Sequence, residues 1–270
     1  MSNERIVLAG FSVAGVETAI EVPSLKLVLD MGRCSRTAVN QPFVLVSHGH
    51  LDHAGALTQH ASRRSMMKMP EPTYLVPGAI AGEVERLFDA AGTLDGQPIP
   101  RRVVAIEPGQ TFALPGGRWL RPFPTFHRVA SQGYTVWERR HRLRAEFQGT
   151  AGAALADLKR RGVEVDEPHD VALLSFTGDT RVEVLESVPE LQQTETLVME
   201  TSFLDGRVSV EDARAMGHIH LDEVLDRRAL LPRRDIVFCH VSARYGQAEI
   251  ERIVAARLPD ELRELVRVLV

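Results

Sequence analysis

The sequence is poor in cysteine and in aromatic residues, and it has no long apolar segment. Its two cysteines, Cys34 and Cys239, exclude a disulfide framework and a four-cysteine zinc module, and they favour a reducing, cytoplasmic setting. No run approaches the roughly 18 apolar residues needed to span a bilayer, and Met1 to Ala14 lacks the pattern of a signal peptide, so we expect no membrane anchor. The net charge of -4 excludes a polycationic protein, so any nucleic acid must be bound by a local basic surface.

What the sequence does contain is a succession of short apolar, β-branched runs and segments of helical period. With 44% hydrophobic residues, the chain of 270 residues can bury a sizeable core, either as one large domain or as two small ones. Strands are predicted at Arg5–Ala9, Leu25–Leu29, Phe43–Val46, Thr73–Val76, Val103–Ile106, Val171–Phe176, Thr196–Met199 and Asp235–Cys239. Helices are predicted at Ala54–Arg64, Gly78–Ala91, Gly152–Arg161, Val210–Arg228 and Ala248–Leu258. This order predicts an α/β fold with central sheets and covering helices.

One segment, Arg139 to Arg161, is unusually basic. Two basic clusters flank a Gly/Ala-rich turn, and together they comprise Arg139, Arg140, Arg142, Arg144, Lys159, Arg160 and Arg161. A solvated surface helix and loop accounts for most such runs. The alternative is a surface that contacts the backbone of RNA.

The strongest chemical signal is the run Val46-Ser-His48-Gly-His50-Leu-Asp52-His53, which lies between an apolar strand and a helical segment. Three imidazoles and a carboxylate in six residues cannot all be buried without partners, and a divalent metal is the simplest partner. The spacing directs His48 and His50 to one locus and Asp52 and His53 to a second, which suits two adjacent metals. Zinc prefers this mixture of nitrogen and oxygen ligands, and manganese or iron accepts a similar one. The alternative is a group of surface histidines near a helix N-terminus.

Further ligands must come from elsewhere in the chain. His127, Asp179 and His240 each lie at the end of a predicted strand, where α/β sheets place their ligand-binding groups. A lone histidine is more often a satisfied core or surface residue than a ligand. The first motif makes metal binding the better interpretation for all three.

The order of these motifs resembles the metallo-β-lactamase superfamily, and further stretches resemble its tRNase Z (ribonuclease Z) family, in the short form and its plant-type branch. These stretches are Asp30-Met-Gly-Arg-Cys34, Thr125-Phe-His127 with Ser131-Gln-Gly-Tyr134, Phe176-Thr-Gly-Asp-Thr180, Met199-Glu-Thr-Ser-Phe-Leu-Asp205, Gly217-His-Ile-His220 and His240-Val-Ser-Ala-Arg-Tyr245. The resemblance covers nearly the whole chain. It implies a four-layer αβ/βα sandwich formed by residues 1–270 as a single domain, with a short basic insertion at about 139–161.

The resemblance also implies a ligand set for two zinc ions. His48, His50 and His127 would bind the first, Asp52, His53 and His240 the second, and Asp179 would bridge them. A shared hydroxide would then attack a phosphodiester of precursor tRNA on the 3′ side of the discriminator nucleotide. Family members commonly act as homodimers, which we expect here.

Other roles follow from the same resemblance. His218 is predicted to protonate the leaving oxygen or stabilise the transition state, whereas His220 is the structural alternative. Asp52 is predicted to orient or deprotonate the attacking water, and Glu200 to orient His218 or to cap the following turn. Residues of the cleft around the tRNA 3′ end are predicted to be Ser131, Tyr134, Ser242, Arg244 and Tyr245; the two tyrosines are equally well explained as core residues.

The long protruding arm of many bacterial short forms has no counterpart here. The basic segment takes its place, which favours RNA contact by its seven cations without reading of sequence. Two alternatives remain: a small-molecule hydrolase of the same fold, acting on a phosphodiester, thioester or lactone, and a non-enzymatic RNA-binding or scaffold protein. The complete ligand set argues against the second.

Overall fold

The computed structural model describes residues 5–270, and these residues form two seven-stranded mixed sheets. The strands of sheet 1, in chain order, are β1 Ala9–Ala14, β2 Glu17–Val22, β3 Leu27–Leu29, β4 Phe43–Leu45, β5 Thr73–Pro77, β6 Arg102–Ile106 and β13 Val241–Ser242. Those of sheet 2 are β7 Phe112–Leu114, β8 Arg118–Pro124, β9 Gln132–Leu143, β10 Asp166–Phe176, β11 Thr196–Glu200, β12 Asp235–Cys239 and β14 Val266–Val268.

Helices cover the outer faces of both sheets. The α-helices within residues 5–270 are α1 Leu51–Ala54, α2 Leu57–Met66, α3 Gly78–Asp95, α4 Gly152–Arg160, α5 Val184–Ser187, α6 Val210–Met216, α7 Leu221–Asp226, α8 Gln247–Arg257 and α9 Asp260–Arg263. Of these, α4 does not cover a sheet, since none of its residues is buried. None of the helices in the described part of the chain combines the length and the apolar character that crossing a membrane requires.

The alternation of side chains along each strand explains the layering. In β11, Val198 points into the core between the two sheets, whereas Leu197 and Met199 point outward and pack against the helices beyond sheet 2. In β3, Val28 likewise faces the helices outside sheet 1, and Leu29 faces the other sheet. Two apolar faces per sheet produce four layers, and the predicted metallo-β-lactamase αβ/βα sandwich is confirmed.

The prediction of individual elements was wrong at one strand and one helix, and it did not include β2, β7, β8, β9, β13 or β14. The strand predicted at Arg5–Ala9 begins only at Ala9, and it runs on to Ala14. The helix predicted at Val210–Arg228 is broken into α6 and α7 because Gly217 adopts a left-handed conformation with φ 81°. The break has a functional consequence, since it frees residues 218–220 from helical geometry.

Strands β9 and β10 extend beyond the sheet. Their register runs to Leu143 opposite Asp166, whereas β8 pairs with β9 only as far as Glu138. Residues 139–170, which we call the arm, therefore form a two-stranded ribbon with α4 near its tip, and no residue of α4 is buried. The surface helix and loop expected from Arg139 onward is in fact a strand up to Leu143.

Candidate metal centre

The seven predicted ligands converge at one edge of the sandwich, although they span 193 positions of the chain from His48 to His240. His48 and His50 follow β4, His127 follows β8, Asp179 follows β10 and His240 follows β12. Asp52 and His53 belong to the short helix α1. Strand ends from both sheets thus deliver the side chains to a common point.

The first locus joins His48, His50, His127 and Asp179. The Nδ1 atom of His50 lies 2.9 Å from Nε2 of His48 and 3.4 Å from Nε2 of His127. The Oδ2 atom of Asp179 lies 3.7 and 3.9 Å from the same two Nε2 atoms. Tetrahedral zinc with ligands at about 2.05 Å requires ligand separations of about 3.3 Å. The geometry of this locus fits that requirement.

The second locus joins Asp52, His53 and His240. The Nε2 atoms of the two histidines are 3.2 Å apart, and each is 3.6 Å from Oδ2 of Asp52. The backbone N–H of Gly15 donates to the same Oδ2 at 2.9 Å and holds the carboxylate in place. Oδ1 of Asp179 is 3.4 Å from Nε2 of His53.

Asp179 lies between the two loci, with one oxygen directed to each. Its Oδ1 is buried and has no hydrogen-bond partner within residues 5–270, which is costly unless a cation binds there. Burial opposes ionisation of Asp179, but the charges of His240 and His53 outweigh it and hold the pKa of the carboxyl well below its usual range. Burial and the neighbouring His53 lower the pKa of His48 to about 2, so this imidazole is neutral, as a metal ligand must be. The donor set therefore fits a pair of divalent metals.

Backbone conformation helps to place Asp179. Gly178, just before it, has φ 58°, and a Cβ at this position would lie 2.4 Å from Cβ of Ser47. Only glycine permits this close approach of the β10 loop to the loop after β4. Glycine is therefore required for steric reasons at the first position of the Gly178-Asp-Thr180 sequence.

His218 lies beside the two loci because of the break at Gly217. Its Nδ1 donates to Oε1 of Glu200 at 3.0 Å and is 3.9 Å from Oδ2 of Asp179. Burial opposes protonation of His218, but the charge of Glu200 and this hydrogen bond outweigh it and raise its pKa to about 9. The imidazole is therefore charged at neutral pH and can donate a proton.

His220 has a structural role. Its Nδ1 accepts from the backbone N–H of Asp222, and the Glu223 side chain accepts from the backbone N–H of His220, which forms a capping box at the start of α7. Of the two histidines, only His218 faces the loci. Glu200 also accepts from the backbone N–H groups of Thr180 and Ile219, neither of which belongs to the turn that follows it, and its role stays a prediction.

The two tyrosines predicted as substrate contacts are buried. Tyr134 is fully inaccessible, and its hydroxyl contacts the carbonyl oxygens of Val46 and Leu75 between the sheets. Tyr245 is 6% exposed and its hydroxyl donates to Asp205. Their assignment to the substrate surface was therefore wrong, and the core interpretation holds.

Three other predicted contact residues, which we call the rim, are at least partly accessible to solvent. Ser131 is half-buried, pairs with His48 in an isolated bridge and shares a hydrogen bond with Thr125. Ser242 is half-buried, and Arg244 is exposed beside it. Nothing in the geometry prevents substrate from reaching these three side chains, and their role stays a prediction.

The expected basic surface of the arm is almost neutral. Residues 139–170 contain seven Lys or Arg and six Asp or Glu, a net charge of +1. Each of the seven predicted cations lies within 4.0 Å of a carboxylate: Arg139 with Asp170, Arg140 with Glu138 and Glu195, Arg142 with Glu167, Arg144 with Glu164, Lys159 with Asp166, and Arg160 and Arg161 with Asp157. The uncompensated positive surface expected from the sequence is not formed, because acids on the returning strand β10, on α4 and on neighbouring segments pair with these cations.

Sequence reasoning missed four residues at the site. Asp30, Ser47 and Ser202 are buried beside the ligands and hydrogen-bond to them directly or through one another. Arg128 is exposed, follows His127 directly, and has no carboxylate within 4.0 Å in residues 5–270. A Cβ on Gly217 would lie 3.2 Å from Cγ of Arg128 and 3.0 Å from Nδ1 of His127, so Arg128 lies close to the first locus. Ser47 and Arg128 adjoin predicted ligands in the sequence, whereas Asp30 and Ser202 fall within the stretches that carry the family resemblance.

Comparison with known proteins agrees with this fold. The family model described as "Beta-lactamase superfamily domain" matches residues 32–241. The tRNase Z TRZ1 of Arabidopsis thaliana is 37% identical over 261 residues, which cover 96% of this chain and 93% of that protein. The chloroplastic tRNase Z TRZ2 of the same plant is 31% identical over 93% of this chain and 72% of its own length. The chain belongs to the tRNase Z family of the metallo-β-lactamase superfamily, as its motifs predicted.

A solved structure extends the comparison to the fold. The crystal structure of human tRNase Z, short form, matches with a TM-score of 0.60 at 15% identity, over 88% of this chain and 93% of that one. At this identity the match supports the sandwich architecture alone.

Proposed function

We propose that this protein is a metal-dependent endoribonuclease that removes the 3′ trailer of precursor tRNA. The observation that carries the proposal is the convergence of seven metal-binding side chains in the geometry of two adjacent sites, in a chain of the tRNase Z family. The proposed cut lies on the 3′ side of the discriminator nucleotide.

The ligands are proposed to be His48, His50 and His127 at the first metal, Asp52, His53 and His240 at the second, and Asp179 between them. The orphaned Oδ1 of Asp179 supports a bridging role. Two zinc ions suit these nitrogen and oxygen donors, and manganese or iron is the alternative. When bound, the cations would stabilise charge on the phosphoryl oxygens and supply a nucleophile from water near neutral pH.

The remaining chemistry falls to the side chains of the chain itself. His218, charged and held by Glu200, is proposed to give a proton to the leaving 3′ oxygen. Asp52, which is half-buried at the mouth of the site, is proposed to orient the attacking water. Proton transfer by His218 and orientation of water by Asp52 are assigned to different side chains, so the two roles can be tested with separate variants.

Substrate contact is proposed for the rim and for the arm. Arg244 and Arg128 are exposed and have no carboxylate within 4.0 Å among residues 5–270, and with Ser131 and Ser242 they are proposed to contact the substrate. The arm cations are proposed to exchange their carboxylate partners for tRNA phosphates, which is feasible because exposed ion pairs are weak. We also propose a homodimer and, from two buried free thiols, a reducing cytoplasmic compartment.

One observation favours the small-molecule alternative. An arm with a net charge of +1 gives less attraction for RNA than the sequence suggested. A phosphodiesterase, thioesterase or lactonase with the same metals would need no such arm.

Single-turnover cleavage of a 3′-extended precursor tRNA, mapped at nucleotide resolution, distinguishes the two. Cleavage beside the discriminator that stops with chelator and returns with added zinc supports the proposal. Zinc binding together with turnover of a small phosphodiester or thioester, and no cut in tRNA, would move the function to the alternative.

A further inference from the structure

Two buried carboxylates on opposite sides of the metal loci make the same pattern of hydrogen bonds. On sheet 1, Asp30 follows β3 and Ser47 lies just beyond the neighbouring β4. Oδ2 of Asp30 accepts from Nδ1 of His53 at 2.7 Å and from Oγ of Ser47 at 2.8 Å. Oγ of Ser47 is in turn 2.9 Å from Nδ1 of His48. One carboxylate thus holds one histidine directly and a second through a serine.

Sheet 2 repeats the pattern. Glu200 ends β11, and His240 follows the neighbouring β12. Oε1 of Glu200 accepts from Nδ1 of His218 at 3.0 Å, and Oε2 accepts from Oγ of Ser202 at 2.7 Å. Oγ of Ser202 is 3.1 Å from Nδ1 of His240. Both serines are completely buried, and neither has a role in the function proposed above.

The hydrogen-bond donors can be assigned from the chemistry of the groups. Each carboxylate also accepts a backbone N–H, from Ser47 at Asp30 and from Ile219 at Glu200, so each acts as an acceptor. A serine hydroxyl has a single hydrogen, and here it is donated to the carboxylate. The serine oxygen must then accept from the histidine, which requires a hydrogen on Nδ1 of His48 and of His240.

We infer that Ser47 and Ser202 are positioning residues that fix these two histidines as the Nδ1–H tautomer. Nε2 of each ring then carries a free lone pair and faces ligands of its own locus, at 2.9 Å from Nδ1 of His50 for His48 and at 3.2 Å from Nε2 of His53 for His240. Nδ1 of His240 also lies 3.4 Å from Oδ1 of Asp179, so its hydrogen points toward both Ser202 and this carboxylate. Each metal locus has one ligand held in this way. The inference rests on the proposed metal-binding function.

The two serines differ in their predicted consequences. Removal of the Ser47 hydroxyl affects the first locus alone, because His53 keeps its direct bond to Asp30. Removal of the Ser202 hydroxyl affects the second locus. Loss of a hydrogen bond that orients a metal-binding histidine lowers metal affinity by about 10–100-fold.

The test compares the full-length wild type with the variants Ser47→Ala, Ser202→Ala and Ser175→Ala. Ser175 is the matched control, since it is equally buried and its Oγ hydrogen-bonds to Thr135, away from the metal ligands. Zinc stoichiometry and affinity are measured by competition with a chromogenic chelator. We expect each of the first two variants to bind one zinc normally and the other about 10–100-fold more weakly, and the control to bind both as the wild type does.

A second readout does not depend on the variants folding. Long-range 15N–1H NMR of the zinc-loaded wild type reports which ring nitrogen carries hydrogen, and we expect Nδ1–H at His48 and His240. Nε2–H at either ring, or unchanged zinc affinity in both alanine variants, overturns the inference while leaving the metal site intact. Failure of the wild type itself to bind zinc overturns the metal assignment, and this inference with it.

Discussion

The carboxylates that pair with the arginines of the arm lead to an unusual prediction. Removing these charged groups should strengthen the binding of tRNA rather than weaken it. Replacing Glu164 and Glu167 by glutamine removes the carboxylates that lie 3.3 Å from Arg144 and 2.8 Å from Arg142, respectively. Glutamine keeps the size of the side chain, so the ribbon should persist. If the arm contacts tRNA phosphates, the two arginines no longer have to exchange a partner, and tRNA should bind more tightly.

The magnitude follows from the ion pairs that tRNA would otherwise have to break. An exposed ion pair contributes about 0.2–1 kcal/mol, so two pairs that no longer have to be broken should favour tRNA binding by about 0.4–2 kcal/mol. We therefore expect the Kd for precursor tRNA at low salt to fall by about 2–30-fold. Turnover of a small phosphodiester should not change, because the arm lies outside the metal site.

The assay is equilibrium binding of a catalytically inactive form, Asp52→Ala, to labelled precursor tRNA over a range of salt concentrations. Glu83→Gln and Asp260→Asn together make the control, since they remove two exposed, ion-paired carboxylates outside the arm with the same change in net charge. An unchanged Kd in the Glu164→Gln and Glu167→Gln protein, or an equal gain in the control, would refute contact between the arm and tRNA.

Three further predictions concern the site and the core. Asp52→Ala should reduce the single-turnover cleavage rate by more than about a hundredfold and lower zinc content, with the Kd for tRNA unchanged; full turnover by this variant would contradict its role as a ligand. Glu200→Gln removes the charge that raises the pKa of His218 to about 9, so the loss of cleavage at alkaline pH should begin about one to three pH units lower. An unchanged pH profile would exclude His218 as the acid. Burial, with a contribution from Arg64, lowers the pKa of His60 in the core to about 4, below its value of about 6.5 in the unfolded chain. The contribution of neutral His60 to the free energy of unfolding is therefore fully present above pH 6.5, and about 3 kcal/mol of it is lost as the pH drops to 4. Urea unfolding in chelator should show that His60→Gln loses most of this pH dependence, and an equal dependence in both proteins would refute it.

The α/β class and the ligand set could be predicted from the sequence for a common reason. Buried strands such as Thr196–Met199 are continuous apolar runs because both faces are covered, and the ligands directly follow such runs. Family resemblance supplied the rest, including the division between two loci. No pattern within the chain indicates that His127 approaches His50 or that His240 approaches His53.

The errors have identifiable physical causes. Strand β9 was missed because its second half is charged on an exposed ribbon, and a run of arginines resembles a solvated helix when its partner strand is unknown. The same lack of register hid the pairing of Arg142 with Glu167 and of Arg139 with Asp170, and hence the neutrality of the arm. Tyr134 was misassigned because the sequence does not reveal that its hydroxyl reaches two strand-end carbonyls across the core.

The repeated carboxylate, serine and histidine pattern shows how the sandwich can assemble a metal pair from distant segments. Asp30 and Ser47 follow the adjacent parallel strands β3 and β4 of sheet 1, whereas Glu200 and Ser202 lie at the end of one strand of sheet 2, β11, beside His240 at the end of the parallel strand β12. Each carboxylate and its serine are therefore brought together within one sheet. Each metal locus, however, combines ligands from both sheets: His48 and His50 with His127 and Asp179, and Asp52 and His53 with His240. Both loci therefore depend on the core between the sheets, so a large cavity in that core should weaken metal binding before it unfolds the protein.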